Sequence, residues 1–232
     1  MASTKKQPAE SPWSEWIRKW RAEQLAMRER LIVAPLRPLP RFVAGADAAF
    51  SADKTNVYAA AVVYDRVERR MSEVAHAVGE SNVPYVPGFL TFREGPTVRA
   101  AIDKLKHPFG VICFDGHGYA HPRRCGLASH LSIELDVPGV GIAKSRFIGE
   151  FSEPAAPAGS SSPLIDKGEQ IGLVLRTQDN VNPVFISIGH RVDLKSAAAL
   201  AIACCTRFRI PEPTRQADIE VAKLKKSDAV TD

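Results

Sequence analysis

The chain has 232 residues, 45% of them apolar and 25% charged, with a formal charge of +5. Those values fit a soluble globular protein of one large domain or two small ones, with enough chain to bury a sizeable core. They exclude a membrane-spanning protein, because no run of 18 apolar residues occurs. The modest basic excess permits a polyanionic partner without demanding one.

Residues 1–10 are polar and read as a disordered tail, with no apolar stretch that would make a signal peptide. Ser11 and Pro12 have the character of a helix start. Trp13, Trp16, Trp20, Met27 and Leu31 then recur at helical spacing, which predicts an amphipathic helix packed on a core. Base stacking by the Trp residues is the minority alternative. Pro35, Pro38 and Pro40 punctuate a connector. Residues 41–50 read as a strand carrying Asp47, an acid that is costly to bury unless it meets a cation or a partner. It could equally point outward from a half-exposed strand. Strands over 56–64 and 71–78, turning at Asp65 and Arg66, complete an antiparallel meander.

Residues 83–96 hold three prolines and two glycines, with Tyr85, Phe89 and Phe92 among them. Such a loop can wedge between bases, or simply pack. Glu94 would stand at the start of a helix over 97–106, with Gly95-Pro96 opening it. Val111 to Phe114 reads as a short buried strand that breaks at Asp115-Gly116. An Asp-Gly pair is also plain turn chemistry. The whole stretch to Gly126 adds Gly118, His121, Arg123 and Arg124, an acid, an opened backbone and a basic cluster able to hold a cation and a phosphate together. A helix over 123–135 and a strand over 140–143 follow, so that Asp115 and Lys144 emerge at one sheet edge, where open α/β sheets place ligands.

Residues 153–166 are rich in Pro, Ala and Ser and read as a flexible surface loop. Strands over 171–176 and 183–188 would form a hairpin. Asp193 then caps or opens a helix over 194–207. Arg207, Arg209 and Arg215 make a basic segment, and a last helix is expected over 214–226 with a loose tail at 227–232. There is no internal repeat, and residues 11–226 are expected to form one catalytic domain. Cys113, Cys125, Cys204 and Cys205 show no Cys-x-x-Cys spacing, so neither a zinc site nor a disulfide framework follows, and a reducing, cytoplasmic setting fits.

Asp47, Glu94, Asp115 and Asp193 can converge at one edge. Four carboxylates repel unless cations neutralise them. Hard oxygen donors suit Mg²⁺ or Mn²⁺. Two such ions about 4 Å apart support phosphodiester hydrolysis, with Lys144 and His121 beside the phosphate.

The motifs resemble those of endonuclease V. They are Tyr85-Val86-Pro87-Gly88, Phe92-Arg93-Glu94-Gly95-Pro96, Asp115-Gly116-His117-Gly118 with His121-Pro122-Arg123, Gly141-Ile142-Ala143-Lys144-Ser145, Gly189-His190-Arg191-Val192-Asp193 and Pro211-Glu212-Pro213-Thr214-Arg215. They occur in the family's order and span about residues 13–226. The resemblance implies a ribonuclease-H-like α/β fold, a mixed central sheet flanked by helices. It also implies Mg²⁺-dependent cleavage of DNA at the second phosphodiester 3′ to deoxyinosine, leaving 3′-hydroxyl and 5′-phosphate ends. It makes Asp47 and Asp115 the central metal ligands, completed by Glu94 and Asp193, with Lys144 and His121 as basic active-site residues. Tyr85, Val86, Pro87 and Gly88 match the family's strand-separating wedge. Gly88, Leu90, Gly116, Gly118 and Gly126 fall where it holds the extruded base. The alanines around Asp47 depart from the bulkier residues usual there. The expected state is a monomer acting on deaminated DNA. The alternatives are an inosine-specific endoribonuclease on single-stranded RNA, or a binding module with a dead site.

Overall fold

The computed structural model describes residues 13–228; the expected N-terminal tail and the Ser11-Pro12 helix start lie outside the described residues. In chain order the elements are α1 (Ser14–Glu29), β1 (Phe42–Phe50), β2 (Asn56–Asp65), β3 (Arg70–Glu80), α2 (Leu90–Ile102), β4 (Val111–Asp115), α3 (Leu127–Leu135) and β5 (Gly139–Ala143). They continue with β6 (Ser161–Asp166), β7 (Glu169–Leu175), β8 (Val184–His190), α4 (Leu194–Cys204) and α5 (Glu212–Asp228). One sheet runs β3-β2-β1-β4-β5-β8-β7-β6. Only the β1·β4 and β4·β5 pairs are parallel. The fold is therefore the expected mixed α/β sheet flanked by helices.

The strands are buried because helices cover both faces, and their side chains divide by alternation. On β4, Ile112 and Phe114 join Val98, Ala101 and Leu131 of α2 and α3. Val111 and Cys113 join Ala197, Leu200 and Cys204 of α4 on the other face. The alanines around Asp47 suit this crowding. Ala46 and Ala48 sit under α2 and α3, and Ala49 packs with Val221 of α5.

Several boundaries differ from expectation. The helix placed at 97–106 begins at Leu90 and ends at Ile102, with Pro96 inside it. Pro96 is exposed, so water can reach the carbonyl it leaves without an intrahelical donor. Phe89 and Phe92, expected with Tyr85 on an exposed loop, pack on α1, where Trp20 stacks on Phe92 at 5.2 Å and meets Phe89 at 5.9 Å. Only Tyr85 stays open, at 65% exposure. The segment read as a flexible loop contains β6, an edge strand on β7. Pro163 fits there because an edge strand can spare a ladder N–H. The helix expected from Arg123 starts at Leu127, and the one expected to reach Arg207 stops at Cys204. α5 runs on to Asp228, so the tail expected from residue 227 starts inside a helix. No helix among the described residues is long and apolar enough to cross a membrane.

Candidate active site

Two parallel strands place the first two carboxylates. Ala46 pairs with Phe114 across β1·β4, so Asp47 and Asp115 follow side by side. Neighbouring strands lie about 4.8 Å apart, and paired residues project to the same face. That face is the one covered by α4 and α5. β5 ends beside them, and Lys144 Nζ lies 2.6 Å from Asp115 Oδ2. The partnership follows from topology, since Asp115 pairs with Ile142, two residues before the lysine. Glu94 comes from the second turn of α2 and is only 6% exposed. The helix start expected at this residue is absent. Glu94 is placed by packing of the helix interior.

The electrostatics are those of crowded like charge. Burial, then the charge of Asp115, pushes the Asp47 carboxyl up to about 8. Burial, then Asp47 and Asp115, pushes Glu94 up to about 8. Burial also raises Asp115, against the hydrogen bond from Lys144. Burial alone would lower Lys144, but the hydrogen bond and charge of Asp115 leave it raised. Lys144 is therefore a fixed cation at neutral pH. One buried and two half-buried carboxylates with one lysine are left short of positive charge, which a divalent cation with oxygen ligands would relieve. The donor set fits Mg²⁺ or Mn²⁺.

Asp193 is not at this site. Ile142 pairs with Ile186, and β8 runs antiparallel, so its end at His190 lies level with Gly139. At about 3.3 Å per residue, His190 is already about 13 Å away from the carboxylates, and Asp193 lies beyond it. It caps α4 instead, accepting from the Ser196 N–H at 2.6 Å. The fourth acid beside the site is Asp218 on α5, 3.3 Å from Lys144 Nζ. Its position in a charged amphipathic helix carried no sequence signal.

A second feature adjoins the carboxylates. The residue after Asp115, Gly116, lines a cavity of about 280 Å³ with Gly88, Leu90, Gly126 and Tyr85. His117, His121 and Phe147 form another part of its wall. It is a little smaller than drug-sized pockets of roughly 300–1,000 Å³. Gly88 takes φ +82°, and a Cβ there would press on Arg123 and His121. Gly118 does not line the cavity. A Cβ on it would strike the Ile188 carbonyl, so its role is close packing of the loop on β8.

His121 is not a cationic phosphate ligand. Burial, then the charge of Arg123, lowers its pKa to about 3. The Arg123 N–H donates to its Nδ1 at 3.2 Å, which leaves Nε2 to donate to the Gly88 carbonyl at 3.0 Å. The neutral ring thus fixes one wall of the cavity. The neighbouring arginines are also engaged internally. Arg123 donates to Gly88 O and Gln24 Oε1, both at 2.5 Å. Arg124 pairs with Asp166 and Glu169, both at 2.8 Å. The expected phosphate-binding cluster is a bracket that ties the loop to α1 and β7.

The profile of the Endonuclease V family matches residues 25–219. The Endonuclease V of Streptomyces avermitilis is 47% identical over 208 residues, 89% of this chain and 91% of that one. This chain belongs to the Endonuclease V family. The crystal structure of the S. avermitilis Endonuclease V superposes with a TM-score of 0.88 at 45% identity, covering 96% of this chain and 97% of that one. A Ciona intestinalis Endonuclease V, solved in complex with a 24mer DNA containing an inosine followed by a ribo-adenosine, superposes at 0.81 with 27% identity, covering 92% and 98%. The ribonuclease-H-like architecture is thus shared with other Endonuclease V chains, and the carboxylates and the cavity described above lie on that scaffold.

Proposed function

We propose that the protein is a divalent-metal-dependent endonuclease that cuts DNA at the second phosphodiester 3′ to a deoxyinosine, leaving 3′-hydroxyl and 5′-phosphate ends. The observation that carries this reading is one peptide bond: Asp115 belongs to the carboxylate cluster and Gly116 to the cavity wall. A base held in the cavity leaves its own backbone next to the acids.

Asp47, Asp115 and Glu94 would hold the ion, Mg²⁺ or Mn²⁺, with Asp218 and Lys144 beside them. Bound there, a divalent ion supplies charge to an attacking water and to the leaving oxygen. Lys144 contributes a fixed positive charge near the phosphate. Exposed Tyr85, with Val86 and Pro87, separates the strands beside Gly88. The cavity walls at Gly88, Leu90, Gly116 and Gly126 exclude water around the extruded base, and His121 holds the Gly88 carbonyl in place. Extrusion costs a few kcal/mol and least at a mispaired base, which favours deaminated sites. Asp193 has no part in this chemistry. Residues 11–226 act as one catalytic unit.

A second reading, cleavage of inosine-containing RNA, draws support from the ribo-adenosine that follows inosine in the Ciona complex. The test is a cleavage map on end-labelled inosine duplex DNA and on the matched RNA, each with Mg²⁺ and with EDTA. The DNA reading expects one cut at the second phosphodiester 3′ to inosine, present only with metal. Faster cutting of the RNA would transfer the assignment to ribonuclease, and cutting in EDTA would remove the metal from the mechanism.

A further inference from the structure

Away from the sheet edge, α1 crosses α3 at a cluster of three ligand-bearing side chains. His130 and Glu134 stand four residues apart on α3, so they share a face, and Glu23 reaches over from α1. His130 is 3% exposed. Its Nε2 lies 3.2 Å from Glu134 Oε1 and 3.5 Å from Glu23 Oε1. The three ligand atoms all lie within 4.8 Å of one another.

Three features distinguish this cluster from a solvated charge pair. The imidazole is held by packing, with Phe92 edge-on to it at 5.4 Å and 85°. Its Nδ1 has no hydrogen-bond partner among the described residues, so the two glutamates are its polar contacts. No lysine or arginine among the described residues forms an ion pair with either glutamate. Two carboxylates thus converge on one buried ring nitrogen with no lysine or arginine between them.

We propose that Glu23, His130 and Glu134 bind a transition-metal dication of the Zn²⁺ class, at a site separate from the carboxylates of the sheet edge, and that this ion staples α1 to α3. One imidazole nitrogen with two carboxylate oxygens suits Zn²⁺ better than Mg²⁺, which prefers oxygen alone. Three protein ligands leave a fourth position for water. The cluster forms part of the wall of an open groove of about 550 Å³, which gives the ion a path from solvent. The staple also reaches the cavity. Gln24, next to Glu23, donates to the Gly88 carbonyl at 3.0 Å and to the Cys125 carbonyl at 2.9 Å. Anchoring α1 therefore holds Gly88.

The test uses the full chain stripped by chelator and titrated with ZnCl₂, read by calorimetric binding and by thermal denaturation. Asp115→Asn disables the sheet-edge site, while Glu23→Gln and Glu134→Gln disable the proposed one. The glutamates are partly exposed, so these variants keep their fold where a change at buried His130 would not. The expected result is a Zn²⁺ bound at this cluster in both chains, seen as one Zn²⁺ with a raised Tm in Asp115→Asn. Each glutamine variant should bind about tenfold or more weakly. In Asp115→Asn, Mg²⁺ should not reproduce the stabilisation. Zn²⁺ binding that vanishes in Asp115→Asn but survives in both glutamine variants would overturn the proposal, as would an unmodified chain that binds no Zn²⁺.

Discussion

The two edges of the central sheet handle charge in opposite ways. At the edge where β1 and β4 end, Asp47, Glu94 and Asp115 lie near one another with Lys144 on Asp115, and burial and like-charge repulsion, from Asp218 in the case of Asp115, raise all three carboxyls. At the other edge the acids are matched. Asp65 receives Arg41 at 2.7 Å and the Val67 and Glu68 N–H groups, and hydrogen bonding holds it down at about 2. Asp136 receives Arg191 at 2.8 Å, and Asp193 caps α4. Hydrogen bonds lower both. One edge is organised for stability, and the other keeps like charge together at a cost in stability, the kind of perturbation that clusters at functional sites. Perturbation upward, not the mere presence of acids, separates the site from the scaffold.

Removing one acid at each edge should have opposite consequences. Asp115→Ala should abolish cleavage of an inosine duplex in a single-turnover assay while gel-shift binding persists. Asp193→Ala should leave the cleavage rate near that of the unmodified chain and cost about 1 kcal/mol of stability through the lost cap. Retained Mg²⁺-dependent cutting by the first variant, or abolished cutting by the second, would reverse the assignment of the edges.

Asp218→Asn comes next. It removes a charge that touches Lys144 without removing one of the central carboxylates, and the cleavage rate should fall about 10–100-fold. No change in rate would detach α5 from the site. Tyr85→Ala should then weaken discrimination between inosine and undamaged duplexes by about tenfold, with metal affinity intact, since stacking of one ring on a base contributes about 1–3 kcal/mol. Equal loss of metal affinity, measured by titration, would remove the wedge.

The smallest expected effect is on stability against pH, and the two edges should differ in sign. In EDTA, Asp47 and Glu94 hold protons more tightly folded than unfolded. Stability contributed at that edge should rise as pH falls from about 8 toward the unfolded carboxyl value near ~4. Asp65 is depressed, so its contribution is present above ~4 and lost as pH falls through about 2. Thermal denaturation across pH in EDTA would show a rise and then a loss. Glu94→Gln should flatten the first limb and leave the second. An unchanged first limb in that variant would disconnect Glu94 from the cluster.

The contents of the site follow from how far each residue's signal extends along the chain. Asp47, Asp115 and Lys144 were legible because each ends or interrupts a short apolar run, a local pattern that places an acid or a base where a buried strand leaves the core. Tyr85 and Gly88 were legible from the proline-rich loop. Asp193 and Asp218 could not be told apart by pattern. The strand before Asp193 pairs antiparallel with β5, and strand direction is decided by which elements pack together, with no mark in the strand itself. A reversal of direction carries the following residue to the opposite edge. Asp218 lies among Arg, Gln, Glu and Lys on an amphipathic helix, where an acid looks like any solvated face until α5 is laid across β1 and β2. Local pattern was enough for the mixed α/β layout, the strand-end acids and the opened backbone at Gly116, because alternation and turn chemistry act over a few residues, while Gly88 and Gly126 were placed at the cavity only by the family resemblance. Tertiary structure alone decided which distant acid joined them, that His121 is a neutral prop and that the arginines are tethers, because burial and pairing depend on neighbours that lie far along the chain.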